Sequence, residues 1–222
     1  MIGHSLRIPP CSSSSSSSSA SAFNRREGPH SESEALQRWI YPTNVEVRQY
    51  QRAICETAIF NNTLVCLPTG LGKTFIASVV MYNYYRWFPE GKVIFMAPTR
   101  PLVMQQIEAC YRVVGIPESD TAHLEGSVLP EKRALLWEKH RVFFCTPQVF
   151  SNDVAAGRCD AARIVFICFD EAHRATKNFA YTQVVGYMIN LLSTFFGVDK
   201  LNTLDNFHRY EKYLILTITF GY

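Results

Sequence analysis

Eight consecutive residues, Leu67-Pro68-Thr69-Gly70-Leu71-Gly72-Lys73-Thr74, have the types and order needed to hold a triphosphate. Glycines let the backbone curl so that successive N–H groups point at phosphate oxygens. A helix starting directly behind them adds a favourable dipole. Lys73 is placed to reach the β- and γ-phosphates, and Thr74 to set its hydroxyl on Mg²⁺. The general phosphate-loop pattern opens with glycine, and Leu67 stands there instead. The alternative is a chance glycine-rich turn, which leaves the strand before it and the helix after it unexplained.

A second constellation follows the apolar run Ile164–Phe169, which ends in Asp170-Glu171-Ala172-His173. A buried strand that ends in two adjacent carboxylates is costly unless they meet a cation. Asp170 is the candidate to hold Mg²⁺, largely through water. Glu171 is the candidate to polarise an attacking water. His173 is the candidate to couple the nucleotide site to a bound polymer. Alone, these four residues read as an exposed helix start; after a phosphate loop and at the end of a hydrophobic strand, the chemical reading prevails. Upstream, Gln51 offers a donor and an acceptor to an adenine edge, which would select ATP over GTP. Without the phosphate loop, an exposed glutamine on a helix is the simpler account.

These residues need elements to position them. Apolar residues at helical spacing predict a helix over Val45–Phe60. Short β-branched runs then occur at Thr63–Leu67, Lys92–Ala97, Thr121–Glu125, Arg141–Thr146 and Ile164–Asp170. Helix-like segments lie between them at Lys73–Trp87, Arg100–Val114, Pro130–His140 and Pro147–Ala156. Strand and helix in alternation predict an α/β fold, a parallel sheet with helices on both faces. The strands read as near-continuous apolar runs, as expected when both faces are covered. Ligands in such sheets bind at the carboxyl ends of the strands, where each motif above falls. Beyond them, Phe179–Phe196 suits one more amphipathic helix, and Tyr213–Phe220 reads as a strand.

Length and composition fit this plan. The 222 residues suffice for one α/β domain with a real core. A net charge of +3 neither requires nor excludes a nucleic-acid partner. The seven cysteines form no C-x-x-C pair and read as small buried hydrophobes, with neither a zinc site nor a disulfide framework. No apolar stretch is long enough to span a bilayer. Residues 1–32 are serine-rich and predict a disordered tail; their Arg7, Arg25 and Arg26 also suit an organelle transit peptide. The ordered domain is expected over 33–192, followed by a divergent tail over 193–222.

Longer phrases carry a narrower reading. Trp39–Asn44, Asn62–Thr74, Tyr85–Pro89, Met96–Val103, Gln105–Tyr111 and Thr146–Val149 resemble the Fanconi anaemia group M type DNA helicases, which are superfamily 2 motors of the DEAH-box kind. The likeness covers about Trp39 to Val185 and implies a RecA-like domain that binds ATP and Mg²⁺. It also implies nucleic-acid contacts at Thr99 and Arg100, at Gly126 and Ser127, and at Thr146 and Gln148. Hydroxyls, helix-start N–H groups and one arginine are plausible phosphate binders, so binding should be salt-sensitive and not sequence-specific. Thr146-Pro147 also reads as an ordinary helix start. By resemblance the substrate is branched DNA, such as forks, junctions and D-loops in repair and recombination, and the location is the nucleus.

The family motor has two RecA-like domains, the second supplying arginines to the transferring phosphoryl group. Here the resemblance fades from about Gly186, and Leu216-Thr217-Ile218-Thr219 is a poor match to the S-A-T segment expected after the carboxylates. The sequence therefore reads as a shortened form: a truncated product, an isoform or an incompletely predicted gene. It is expected to bind ATP–Mg²⁺ and to turn it over slowly or not at all. A binding or regulatory half-motor is the second reading, an RNA helicase stays open, and a small kinase leaves the later motifs without a purpose.

Overall fold

The computed structural model describes residues 38–172, 180–187 and 214–219. Six strands, β1 (Thr63–Cys66), β2 (Lys92–Met96), β3 (Thr121–Leu124), β4 (Val142–Cys145), β5 (Ile164–Phe169) and β6 (Leu214–Thr219), form one sheet. Its order is β1-β6-β5-β2-β4-β3, with every neighbouring pair parallel. Helix α1 (Gln49–Phe60) precedes β1, and α2 (Lys73–Trp87), α3 (Arg100–Val114), α4 (Pro130–Lys139) and α5 (Pro147–Ala155) connect successive strands from β1 to β5. Residues 180–187 add a further helical stretch. The expected α/β architecture is the one observed.

The strand period of two sorts the core into two layers. Val93, Phe95, Val142, Phe144, Phe166 and Cys168 face α1, α2 and α3. Their sequence neighbours Ile94, Met96, Phe143, Cys145, Ile167 and Phe169 face Trp137 of α4, Val149 and Phe150 of α5, and Tyr181 and Val184. Each fully buried side chain of this size contributes roughly 1.5–3 kcal/mol. Trp137 lies 4.1 Å from Phe143, centroid to centroid.

Three expectations need correction. Doubly covered strands hold for β2, β4 and β5, buried at every residue, but β1 and β3 lie at the sheet edges and alternate in exposure. Cys66, on edge strand β1, is therefore exposed, whereas Cys55, Cys110, Cys145, Cys159 and Cys168 are buried. Burial pushes the thiols of Cys55, Cys110 and Cys159 up to about 12, which leaves them inert at neutral pH. The first helix begins at Gln49 rather than Val45, because the chain bends at 43–45 and Arg48 caps it without a side-chain bond. Finally, β6 comes from the 193–222 segment expected to lie outside the domain. It sits between β1 and β5, with Thr63 opposite Leu216 and Phe166 opposite Leu214.

A buried polar network ties α4 to α5. Asp153, fully buried, accepts hydrogen bonds from Arg133 Nε at 2.8 Å, Trp137 Nε1 at 3.0 Å and Arg158 Nε at 2.8 Å. Burial alone would raise this carboxyl; the bonds from Arg133, Trp137 and Arg158 outweigh it and hold the group below its ordinary value.

Candidate functional site

The phosphate loop is shaped by its two glycines. Gly70 and Gly72 have φ of 82° and 85°, the left-handed region where other residues are strained. Gly72 caps α2, and the loop turns from β1 into the helix within six residues, 67–72. Lys73 Nζ donates to the carbonyls of Leu67 at 2.8 Å and Pro68 at 3.4 Å. The lysine therefore lies over the loop, in the concavity where phosphate oxygens would be met. Thr74 follows in the first turn, half-buried.

Gln51 is not an exposed helix residue. It is 6% exposed and its Nε2 donates to Leu71 O at 3.0 Å. Tyr50, which sequence reasoning passed over, donates its hydroxyl to the same carbonyl at 3.0 Å. A Cβ on Gly72 would lie 2.3 Å from Gln51 Nε2, so a side chain there would displace the Gln51 amide.

Asp170 and Glu171 directly follow the fully buried strand β5 and are 6% and 7% exposed. Glu171 has φ 54°, a left-handed conformation that costs a non-glycine residue on the order of 1–3 kcal/mol. Asp170 Oδ1 accepts from the Glu171 N–H at 3.0 Å, and the Asp170 N–H donates to Met96 O at 2.8 Å. Two further residues hold this corner. Tyr181 donates its hydroxyl to Asp170 O at 2.5 Å and packs edge-on against Phe169. Gln106 Nε2 donates to Asp170 Oδ2 at 3.4 Å from α3. Neither was legible as a site residue, because each reaches Asp170 only through the packing of its helix. His173 lies outside the described residues.

Strand order decides what meets what. The loop leaves β1 and the carboxylates leave β5, two inter-strand steps apart, roughly 10 Å. A triphosphate with a bound cation can bridge that span. A buried carboxylate pair at the same end of the sheet as a phosphate loop, two strand positions away, is the donor set that a partly hydrated Mg²⁺ takes, so the residues present fit the cation. Among the described residues no three His, Cys, Asp or Glu side chains cluster to hold a metal without such phosphates.

The remaining candidates follow β2, β4 and β3, the other half of the same edge. Thr99, Arg100, Gly126, Ser127 and Gln148 are exposed, and Thr146 is half-buried. Thr99 and Thr146 precede helices α3 and α5 without capping them through their side chains. Gln148 donates to Asn152 Oδ1 at 2.9 Å. Arg100 donates to Ser127 Oγ at 3.0 Å and pairs with Glu125, so the candidates of β2 and β3 are in direct contact.

Residues 44–198 match the family described as type III restriction enzyme, res subunit. The chain is 59% identical over 154 residues to the DEAD-box ATP-dependent RNA helicase FANCM of Arabidopsis thaliana, covering 68% of this chain and 12% of that protein. It is 56% identical over 157 residues to the Fanconi anemia group M protein homolog of Mus musculus, 71% of this chain and 8% of that one. It is 51% identical over 184 residues to an ATP-dependent DNA helicase of Schizosaccharomyces pombe, 82% and 22% respectively. The chain thus spans a small part of these relatives' lengths. Among solved structures, the Pyrococcus furiosus Hef helicase domain matches with a TM-score of 0.62 and 32% identity, over 78% of this chain and 33% of that one.

Proposed function

Because the chain belongs to the type III restriction enzyme res-subunit family, within its Fanconi anaemia group M type helicase branch, we propose that it is the ATP-binding RecA-like unit of a DNA translocase. The observation that carries this reading is the phosphate loop and the Asp170–Glu171 pair at strand ends two positions apart on one parallel sheet. The unit runs over residues 33–192, with β6 added from the segment beyond. Its place of action is the nucleus, and its substrates are forks, junctions and D-loops.

Each residue then has a task. Lys73 exchanges the carbonyls of Leu67 and Pro68 for β- and γ-phosphate oxygens. Thr74 and Asp170 hold Mg²⁺, Asp170 largely through water. The cation, held there, would supply positive charge beside the transferring phosphoryl group. Glu171, held in its strained conformation, orients the attacking water. Gln51, already fixed to the loop through Leu71, presents its amide to the adenine edge. Thr99, Arg100, Gly126, Ser127, Thr146 and Gln148 grip the nucleic-acid backbone, and His173 couples the two halves of the edge. Backbone contacts carry no sequence preference.

Titration with a fluorescent ATP analogue in Mg²⁺ tests the nucleotide site. Lys73→Ala should bind more than about tenfold more weakly than the natural chain, since it removes a charge-assisted phosphate contact. Equal affinities would remove the phosphate-loop assignment. Comparing a forked DNA with an RNA duplex of the same shape in a binding assay then separates DNA from RNA as the polymer.

A further inference from the structure

The other half of the strand edge carries an anion of its own. Glu125 directly follows β3 and precedes Gly126, in a turn closed by the Val128 N–H donating to Glu125 O at 3.1 Å. Its carboxylate pairs with the Arg100 guanidinium. It also accepts a hydrogen bond from the Ser127 hydroxyl at 2.8 Å and lies 3.4 Å from His123 Nδ1. Arg100 NH2 in turn donates to Ser127 Oγ at 3.0 Å. The donors that a backbone phosphate would take from Arg100 and Ser127 are thus directed to one carboxylate. Arg100 remains 55% exposed, so the pair is open to exchange with solvent anions. An exposed arginine–carboxylate pair is worth little and is screened by salt. A doubly contacted phosphate can displace it.

We infer that Glu125 is a built-in phosphate mimic that competes with DNA for Arg100 and Ser127 and so sets the affinity of this strand for the motor. The inference rests on the nucleic-acid reading proposed above. Glu125 has none of the tasks proposed above, and its removal should raise DNA binding rather than lower it. If Glu125 instead organised Arg100 for DNA, its removal would weaken binding.

The test is fluorescence anisotropy of a fluorescein-labelled forked DNA with the full chain, across a salt series. Glu125→Gln should bind about fivefold more tightly at low salt. Its log affinity against log salt should steepen by about 0.7–0.9, one further phosphate contact. Arg100→Ala should weaken binding, and adding Glu125→Gln to it should restore little. Glu108→Gln serves as the control for charge alone, because it removes the same charge from the exposed Arg112–Glu108 pair two turns along α3. Thermal melts should coincide for all of these variants. Unchanged or weaker binding by Glu125→Gln overturns the inference, and so does an equal gain from Glu108→Gln or a full gain on the Arg100→Ala background. If Arg100→Ala leaves binding unchanged with Glu125 either present or replaced, the nucleic-acid reading of this edge falls with it.

Discussion

Gly72 serves two masters at the scale of a single residue. Its φ of 85° starts the helix, and its missing side chain admits Gln51 from α1. Gly72→Ala should cost about 1–2 kcal/mol of stability from the backbone alone. It must also push the Gln51 amide away, so discrimination between ATP and GTP should fall in a competition assay while the melt drops only modestly. Unaltered discrimination would separate Gln51 from base selection. The phosphate loop and the paired carboxylates could be read from the chain because their chemistry is written in consecutive residues. Tyr181 and Gln106 could not, since each meets Asp170 from a helix whose docking no local pattern specifies. The strained φ of Glu171 was equally hidden, because strain is imposed by the surrounding packing.

Among elements, the junction of α4 and α5 is held by a buried charge as well as by the Trp137–Phe150 ring contact. Asp153→Ala would leave Arg133, 7% exposed at its side chain, with only the Val128 carbonyl to accept from it, and the Trp137 N–H without its acceptor. The expected loss is about 3–5 kcal/mol, read as a fall in denaturation midpoint. Because the folded carboxyl lies below its ordinary value of 3.8, its contribution is complete above that pH and disappears as pH falls through the folded value. The acid limb of the stability profile, below about pH 4, should therefore be shallower in Asp153→Ala than in the natural chain. Helix and strand positions here were legible to within a few residues, since turn residues and apolar periods mark them. The latch was not, because Asp153 and Arg133 each look like ordinary solvated charges in the chain.

For the whole molecule, the sheet order puts the glycine loop and the Asp170–Glu171 pair on one half of an edge, at β1 and β5, and the remaining candidates on the other half, at β2, β4 and β3. Alternation of strands and helices announced a parallel sheet, yet it could not say which strands would be neighbours. Backbone hydrogen bonds carry no side-chain code, so the apolar run at 214–219 was recognisable as a strand without revealing its place. That place has a consequence for the order in which a ribosome delivers the chain. Among the described strands, β1 hydrogen-bonds to β6 alone, so the phosphate-binding strand emerges early and waits for its partner until residue 219 is out. Pairing so distant in sequence is slow and leaves an open strand edge in the interim. A chain shortened to residue 213 should retain its helices by circular dichroism, melt without a sharp transition and fail to hold the ATP analogue; full retention would show that β1 is competent alone. The phosphate-loop strand is thus expected to gain its neighbour only after residues 214–219 have been made, roughly 150 residues behind it.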